Sequence, residues 1–158
     1  MRVLVQRVKS AKVVVKGQDI ADIKQGLLLL VGVGRDDNAD DIENMAKKIV
    51  NLRIFSSTGG FAVGEEDEQG RMNLNIQQVK GQILSVPQFT LLADTRKGNR
   101  PGFDKSAGPE MAKEYWNKFN TLLRENSIEV REGVFGAHME VGLINDGPVT
   151  IWLDSKHR

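Results

Sequence analysis

The stretch GLLLLVGVG, residues 26–34, decides how the first part of the chain is read. Glycines bound its apolar run at both ends. At this length it suits a buried strand and falls well short of the roughly 20 residues that a membrane-spanning helix needs. The segments before it agree: RVLVQRVK (2–9) and AKVVVKG (11–17) carry β-branched residues in alternation, so three strands are expected at the start of the chain. After it, NADDIENMAKKIVNLRIF places Ile42, Met45, Ala46, Ile49 and Leu52 at spacings of three and four, with acids early and lysines late. That is the pattern of an amphipathic helix aligned with its own dipole.

Farther along, RMNLNIQQV (71–79) alternates Met72, Leu74 and Ile76 with polar residues, as a half-buried strand does, and ILSVPQFTL (83–91) reads as another strand with Pro87 inside it. PEMAKEYWNKFNTLLREN reads as a second helix, with Pro109 suited to its first turn and an apolar stripe of Ala112, Tyr115, Phe119, Leu122 and Leu123. IEVREG, HMEVGLIN and VTIWL return to strands, and SSTGGFAVGEEDEQG (56–70) suggests an exposed hairpin or loop. There is no internal repeat and no linker, so residues 1–158 are expected to form one domain.

A chain of 158 residues can bury roughly 68–70% of its unfolded surface in a single core. Its 40% apolar and 27% charged residues are those of an ordinary globular protein. With no cysteine, disulfides and thiolate metal sites are excluded. The chain starts directly on a strand pattern, and a cytoplasmic location with no membrane association is the default expectation. A net charge of +1 argues against coating a nucleic-acid duplex, yet leaves room for a local patch that grips one end of an RNA.

The common enzyme signatures are missing. GLLLLVGVGRDD lacks both the Gly-Lys-Ser/Thr of a phosphate loop and the spacing of a dinucleotide fingerprint. His138 and His157 have no second histidine or carboxylate cluster at metal spacing, so no metal and no cofactor is expected. His138 alternates out of phase with Met139, Val141 and Leu143 and reads as a surface histidine.

Four features are more informative. Arg7 shares strand parity with Val3 and Val5, so it either carries a guanidinium inward, where it must find acceptors, or snorkels outward. Pro87 cannot donate to a sheet ladder, so VPQFTL is either a simple edge strand or a place where the N–H groups of Gln88, Phe89 and Thr90 are freed, as an oxyanion hole requires. Arg96, Lys97, Arg100 and Lys105 form a basic loop that is either solvated or available to phosphates. In INDGPVTIWL (144–153), Asn-Asp-Gly-Pro is turn chemistry before a buried run, either punctuation or a recognition element.

Taken in order, QRV with Arg7, GLLLLVGV, RIF followed by MNLN, PQFTLLADT, KGNRPGF and NDGPVT resemble the D-aminoacyl-tRNA deacylase family over essentially the full chain. The resemblance implies a single compact α/β domain of that family's fold: mixed, mostly antiparallel sheets with two main amphipathic helices. It implies a homodimer with active sites at the subunit interface. The implied partner is the acceptor 3′ end of D-aminoacyl-tRNA, with no DNA partner. The implied reaction is metal-free, RNA-assisted hydrolysis of the ester of D-aminoacyl-tRNA, and of glycyl-tRNA mischarged on tRNA(Ala), with L-aminoacyl-tRNA rejected.

Matched residue by residue, the resemblance implies that Gln88, Phe89 and Thr90 form the catalytic strand end. Gly147 and Pro148, joined by a cis bond and braced by Arg7, would make the chiral filter, with Pro87 and Ala112 beside the substrate. Phe135 and Met139 would line an adenine pocket, and Arg96, Lys97 and Arg100 would touch tRNA phosphates. In the family reading the terminal 2′-hydroxyl assists the attacking water; an older one makes the threonine a nucleophile. The family usually has serine where this chain has Pro87. The alternative function is a non-catalytic module that holds D-amino acids or a tRNA 3′ end.

Overall fold

The computed structural model describes residues 1–56 and 71–157. The expected loop at 56–70 lies, apart from Ser56, outside the described residues. The elements run β1 (Arg2–Val15), β2 (Gln18–Ile23), β3 (Gly26–Gly32), α1 (Ala39–Asn51), β4 (Gln82–Pro87), a 3-10 turn (Phe89–Leu92), α2 (Pro109–Glu125), β5 (Val130–Glu132) and β6 (Glu140–Asp154). The strands form one mixed sheet in the order β2-β1-β3-β4-β5, with β6 also paired to β1. The pairings of β1 with β2, β3 and β6 are antiparallel, while β3–β4 and β4–β5 are parallel. The fold is therefore mixed α/β and mostly antiparallel, with two main helices, as expected.

Three strands do open the chain, with different limits. RVLVQRVK and AKVVVKG are one continuous strand, and QDIADI supplies β2. Continuity is possible because β1 changes neighbour along one edge: Arg2–Val8 pair with β3 and Ala11–Val15 pair with β2, while β6 follows the other edge. HMEVGLIN and VTIWL likewise merge into the long β6. The strand expected over RMNLNIQQV reduces to one bridge, Phe55 to Leu74. Asn75 and Gln78 exchange backbone-to-side-chain hydrogen bonds at 2.9 and 3.0 Å, and Gly81 N–H donates to Ile76 O at 2.9 Å, so the segment closes into a turn that still buries Ile76. The local amide chemistry outweighs the apolar alternation.

Helix α1 begins on an Asn38 capping box with Asp41 and buries Ile42, Met45, Ala46 and Ile49; α2 begins on Pro109. Both helices cover one face of the sheet, where Val3, Val5, Leu27, Leu29, Val31 and Ile83 join them in the main core. The opposite face carries a smaller cluster that includes Val8, Leu28, Leu84 and Val86. Cross-strand partners on that face run Val86–Leu30–Leu4–Trp152 from β4 to β6. Among the described residues no helix covers this row, and Trp152 is 48% exposed.

The C-terminal segment is fastened to α1. Lys156 Nζ donates to Asp41 at 2.5 Å and to the Asp36 carbonyl at 2.9 Å. Burial pushes the Asp41 carboxyl up, but hydrogen bonds from Lys156, the Asn38 cap and Ser155 outweigh it and leave the group below the usual aspartate value. Asp154 follows the same pattern, with the Lys156 N–H and Arg2 overcoming burial. Carboxyls depressed in the folded state contribute stability that is present above the unfolded aspartate value of about 3.9 and lost as pH falls through the folded value. Denaturant titrations should therefore show stability falling below about pH 4. The Asp41→Asn variant should fall less steeply over that window; an unchanged slope contradicts the assignment.

Candidate active site

The parallel pair β3–β4 ends beside the N-terminus of α2, and the chain beyond those strand ends encloses a cavity of about 530 Å³. Ligands in sheets with parallel strands gather outside the carboxyl ends in this way. Pro87 is the last residue of β4 and faces Val31 of β3. The expected strand through PQFTL thus stops at Pro87. One further bond, Gln88 N–H to Val31 O at 2.7 Å, completes the ladder before the chain enters the 3-10 turn. Gln88 is therefore not a free donor. The N–H groups of Phe89 and Thr90, first in that turn, have no acceptor among the described residues. Gly32 permits the crossing, since a Cβ there would stand 2.9 Å from the Gln88 carbonyl oxygen.

Pro87, Gln88, Phe89, Ala112, Phe135 and Met139, far apart in the chain, all line this one cavity. Trp116 lies behind them, its Nε1 donating to Ser85 Oγ at 2.8 Å and its ring 6.1 Å from that of Phe135. Met139 Sδ accepts the Val134 N–H at 3.3 Å, which fixes the segment on the far wall. Thr90 is exposed beside the cavity, its hydroxyl accepting from the Gln88 side-chain amide. His138, read as a surface histidine, is exposed and also lines the cavity, where it is the one ionisable side chain among the described lining residues. Trp116 and Ser106, both in the lining, were missed by pattern reading. Trp116 stands one helical turn after Ala112, and that spacing is the one signal that could have found it.

The Gly-Pro element is built separately. Between the Gln6–Thr150 and Val8–Asn145 pairs, β1 contributes only Arg7 while β6 contributes Asp146 to Val149. The turn chemistry of NDGP thus makes a wide bulge inside one strand, with Arg7 facing it. Gly147–Pro148 is cis, and Gly147 has φ of 122°. Arg7 is 3% exposed, so the inward alternative holds. Its Nε lies 3.2 Å from both the Asp146 carbonyl and carboxylate, and its Nη1 donates to Ile54 O at 2.5 Å. Arg7, Gly147 and Pro148 do not line the cavity of their own chain.

The basic loop is anchored near the cavity by a bridge between Asp94 and Gly102 and by the Phe103 ring set edge-on against Phe89 at 5.0 Å. Arg96 is committed to Asp94, whose carboxyl its hydrogen bonds hold far below the usual range. Lys97 and Arg100 are exposed.

A sequence model described as "D-Tyr-tRNA(Tyr) deacylase" matches residues 4–154. The chain belongs to this family. A family relative from Thermosipho africanus (strain TCF52B), a D-aminoacyl-tRNA deacylase, is 49% identical over 156 residues, covering 99% of this chain and 98% of its own. A solved structure titled c-Myc DNA Unwinding Element Binding Protein is 37% identical with a TM-score of 0.85, covering 98% of both chains. Another, titled as a probable eukaryotic D-amino acid tRNA deacylase, shares the fold at a TM-score of 0.73 and 16% identity, covering 96% of this chain and 97% of its own.

Proposed function

We propose that this chain hydrolyses the ester linking a D-amino acid, or glycine mischarged on tRNA(Ala), to the terminal adenosine of tRNA. The observation that carries the reading is the pairing of an apolar cavity, in which His138 is the one ionisable side chain among the described lining residues, with the N–H groups of Phe89 and Thr90 at its rim, which have no acceptor among the described residues. An adenine ring suits walls made by Phe135, Met139 and Trp116. The Phe89 and Thr90 N–H groups would stabilise the oxyanion formed when water attacks the ester carbonyl. The 2′-hydroxyl of the ribose would guide that water, and the 3′-oxygen would leave with a proton.

The chiral filter would come from a second copy. Gly147 and Pro148 present carbonyls and a rigid wall without reading side-chain identity, and they stand apart from their own chain's cavity. The row Leu30–Leu4–Trp152, which no helix among the described residues covers and in which Trp152 is exposed, favours a homodimer packed through this sheet face. In this reading Ala112 and Pro87 border the D-side chain, and Lys97 and Arg100 approach the acceptor stem.

Release of D-tyrosine from D-tyrosyl-tRNA by the purified chain tests the proposal; binding without release would favour a non-catalytic 3′-end module. Thr90 Oγ1 is partnered by an amide, which cannot act as a base. Thr90→Ala should therefore keep turnover within about threefold, whereas a loss of the order of 10³-fold would install the threonine as nucleophile.

A further inference from the structure

We infer that Ser106 is a positioning residue for the oxyanion-binding peptide, an inference that rests on the deacylase reading above. Ser106 lines the cavity and is half-buried, and its Oγ donates to the Phe89 carbonyl oxygen at 3.3 Å. The Phe89 carbonyl and the Thr90 N–H belong to the same peptide group. In a planar trans peptide the two point in opposite directions, so a donor that holds the carbonyl also sets where the N–H aims. It polarises the amide as well, which makes that N–H a stronger donor.

The hydroxyl is delivered from a rigid support. Arg35 N–H donates to Lys105 O at 3.0 Å, Ala107 N–H to Val33 O at 2.9 Å and Ser106 N–H to Phe103 O at 2.9 Å. Gln88 and Ala107, the neighbour of Ser106, are thus both fastened at the end of β3, Gln88 to Val31 and Ala107 to Val33 just beyond it. The edge-on contact of Phe89 with Phe103 closes the frame from outside. The 3.3 Å bond is longer than the range of about 2.5–3.0 Å usual for hydroxyl donors, and catalytic hydrogen bonds often tighten only when substrate is bound. Its strength would then be realised as charge develops on the substrate, which affects turnover and leaves affinity alone.

The test compares wild type, Ser106→Ala and Ser106→Thr by steady-state hydrolysis of D-tyrosyl-tRNA, with thermal melts alongside. Ser106→Ala should lower kcat about tenfold, short of the 10²–10³-fold that follows loss of an oxyanion donor itself, with KM within about twofold. Ser106→Thr, which restores a hydroxyl, should recover most of kcat. Unchanged kcat in Ser106→Ala, a rise in KM that accounts for the loss, or a loss that threonine does not restore would each overturn the inference. Wild-type turnover is measured first: its absence overturns the deacylase reading and this inference with it, while normal wild-type turnover with an unaffected Ser106→Ala overturns this inference alone.

Discussion

Replacing Arg7 with leucine should destabilise the fold by about 3–5 kcal/mol, the range expected when one partner of a buried ion pair is removed. The guanidinium is buried and binds the Ile54 carbonyl, the Asp146 carbonyl and the Asp146 carboxylate. Leucine would fill part of the space but leave those acceptors without a donor, and each unsatisfied group carries its own desolvation cost. Arg7→Lys should fall between leucine and wild type, because an ammonium keeps the charge but loses the planar fork that reaches two elements at once. Denaturant unfolding reads both variants. A loss below about 1 kcal/mol for leucine would mean the bulge holds itself without Arg7.

Gly147→Ala should cut D-tyrosyl-tRNA hydrolysis by about 100-fold or more, the scale of effect that follows roughly 1 Å of misplacement in a reacting site. At φ of 122°, a region L side chains rarely adopt, a Cβ would stand 2.9 Å from Val149 Cγ2 and 3.1 Å from Arg7 Nη2. Neither neighbour yields easily: Val149 is buried in the core, and Arg7 is tethered at several points. The bulge would shift or Arg7 would be displaced, and either moves the Gly-Pro surface proposed to face the substrate. Wild-type hydrolysis rates in this variant would remove that surface from the reaction.

Much of the architecture was legible because periodicity reports burial directly. GLLLLVGVG supplies the largely buried β3 and α1 buries Ile42, Met45, Ala46 and Ile49 as their spacing marks, whereas α2 buries Phe119 and Leu123 of its expected stripe, leaves Ala112, Tyr115 and Leu122 half-buried, and buries Trp116 instead. Misreadings arose where a second interaction competes with that pattern. Met72, Leu74 and Ile76 alternate as a strand would, yet Asn75 and Gln78 close the segment into a turn. The division of β1 into two strands failed for another reason: its continuity depends on a change of neighbour from β3 to β2, which no local pattern records.

The site was less legible than the fold. Parity left Arg7 open between inward and outward, and the ladder rule for proline left VPQFTL open between an edge strand and a freed strand end; burial of Arg7 and the end of β4 at Pro87 decide between them. Gathering Ala112, Phe135 and Met139 around one cavity depends on contacts across much of the chain, and the resemblance to the deacylases alone pointed there. Ser106 carried no signal, since its contribution lies in one hydrogen bond to a carbonyl seventeen residues earlier.

On the proposed function, this chain hydrolyses the ester of a D-amino acid on tRNA and refuses its mirror image through backbone groups. Matched D-tyrosyl-tRNA and L-tyrosyl-tRNA, incubated with the purified chain at equal concentrations, test it most directly. Rapid release from the D-ester is expected, with the L-ester decaying at its spontaneous rate. No release from the D-ester, or equal release from both, would contradict it.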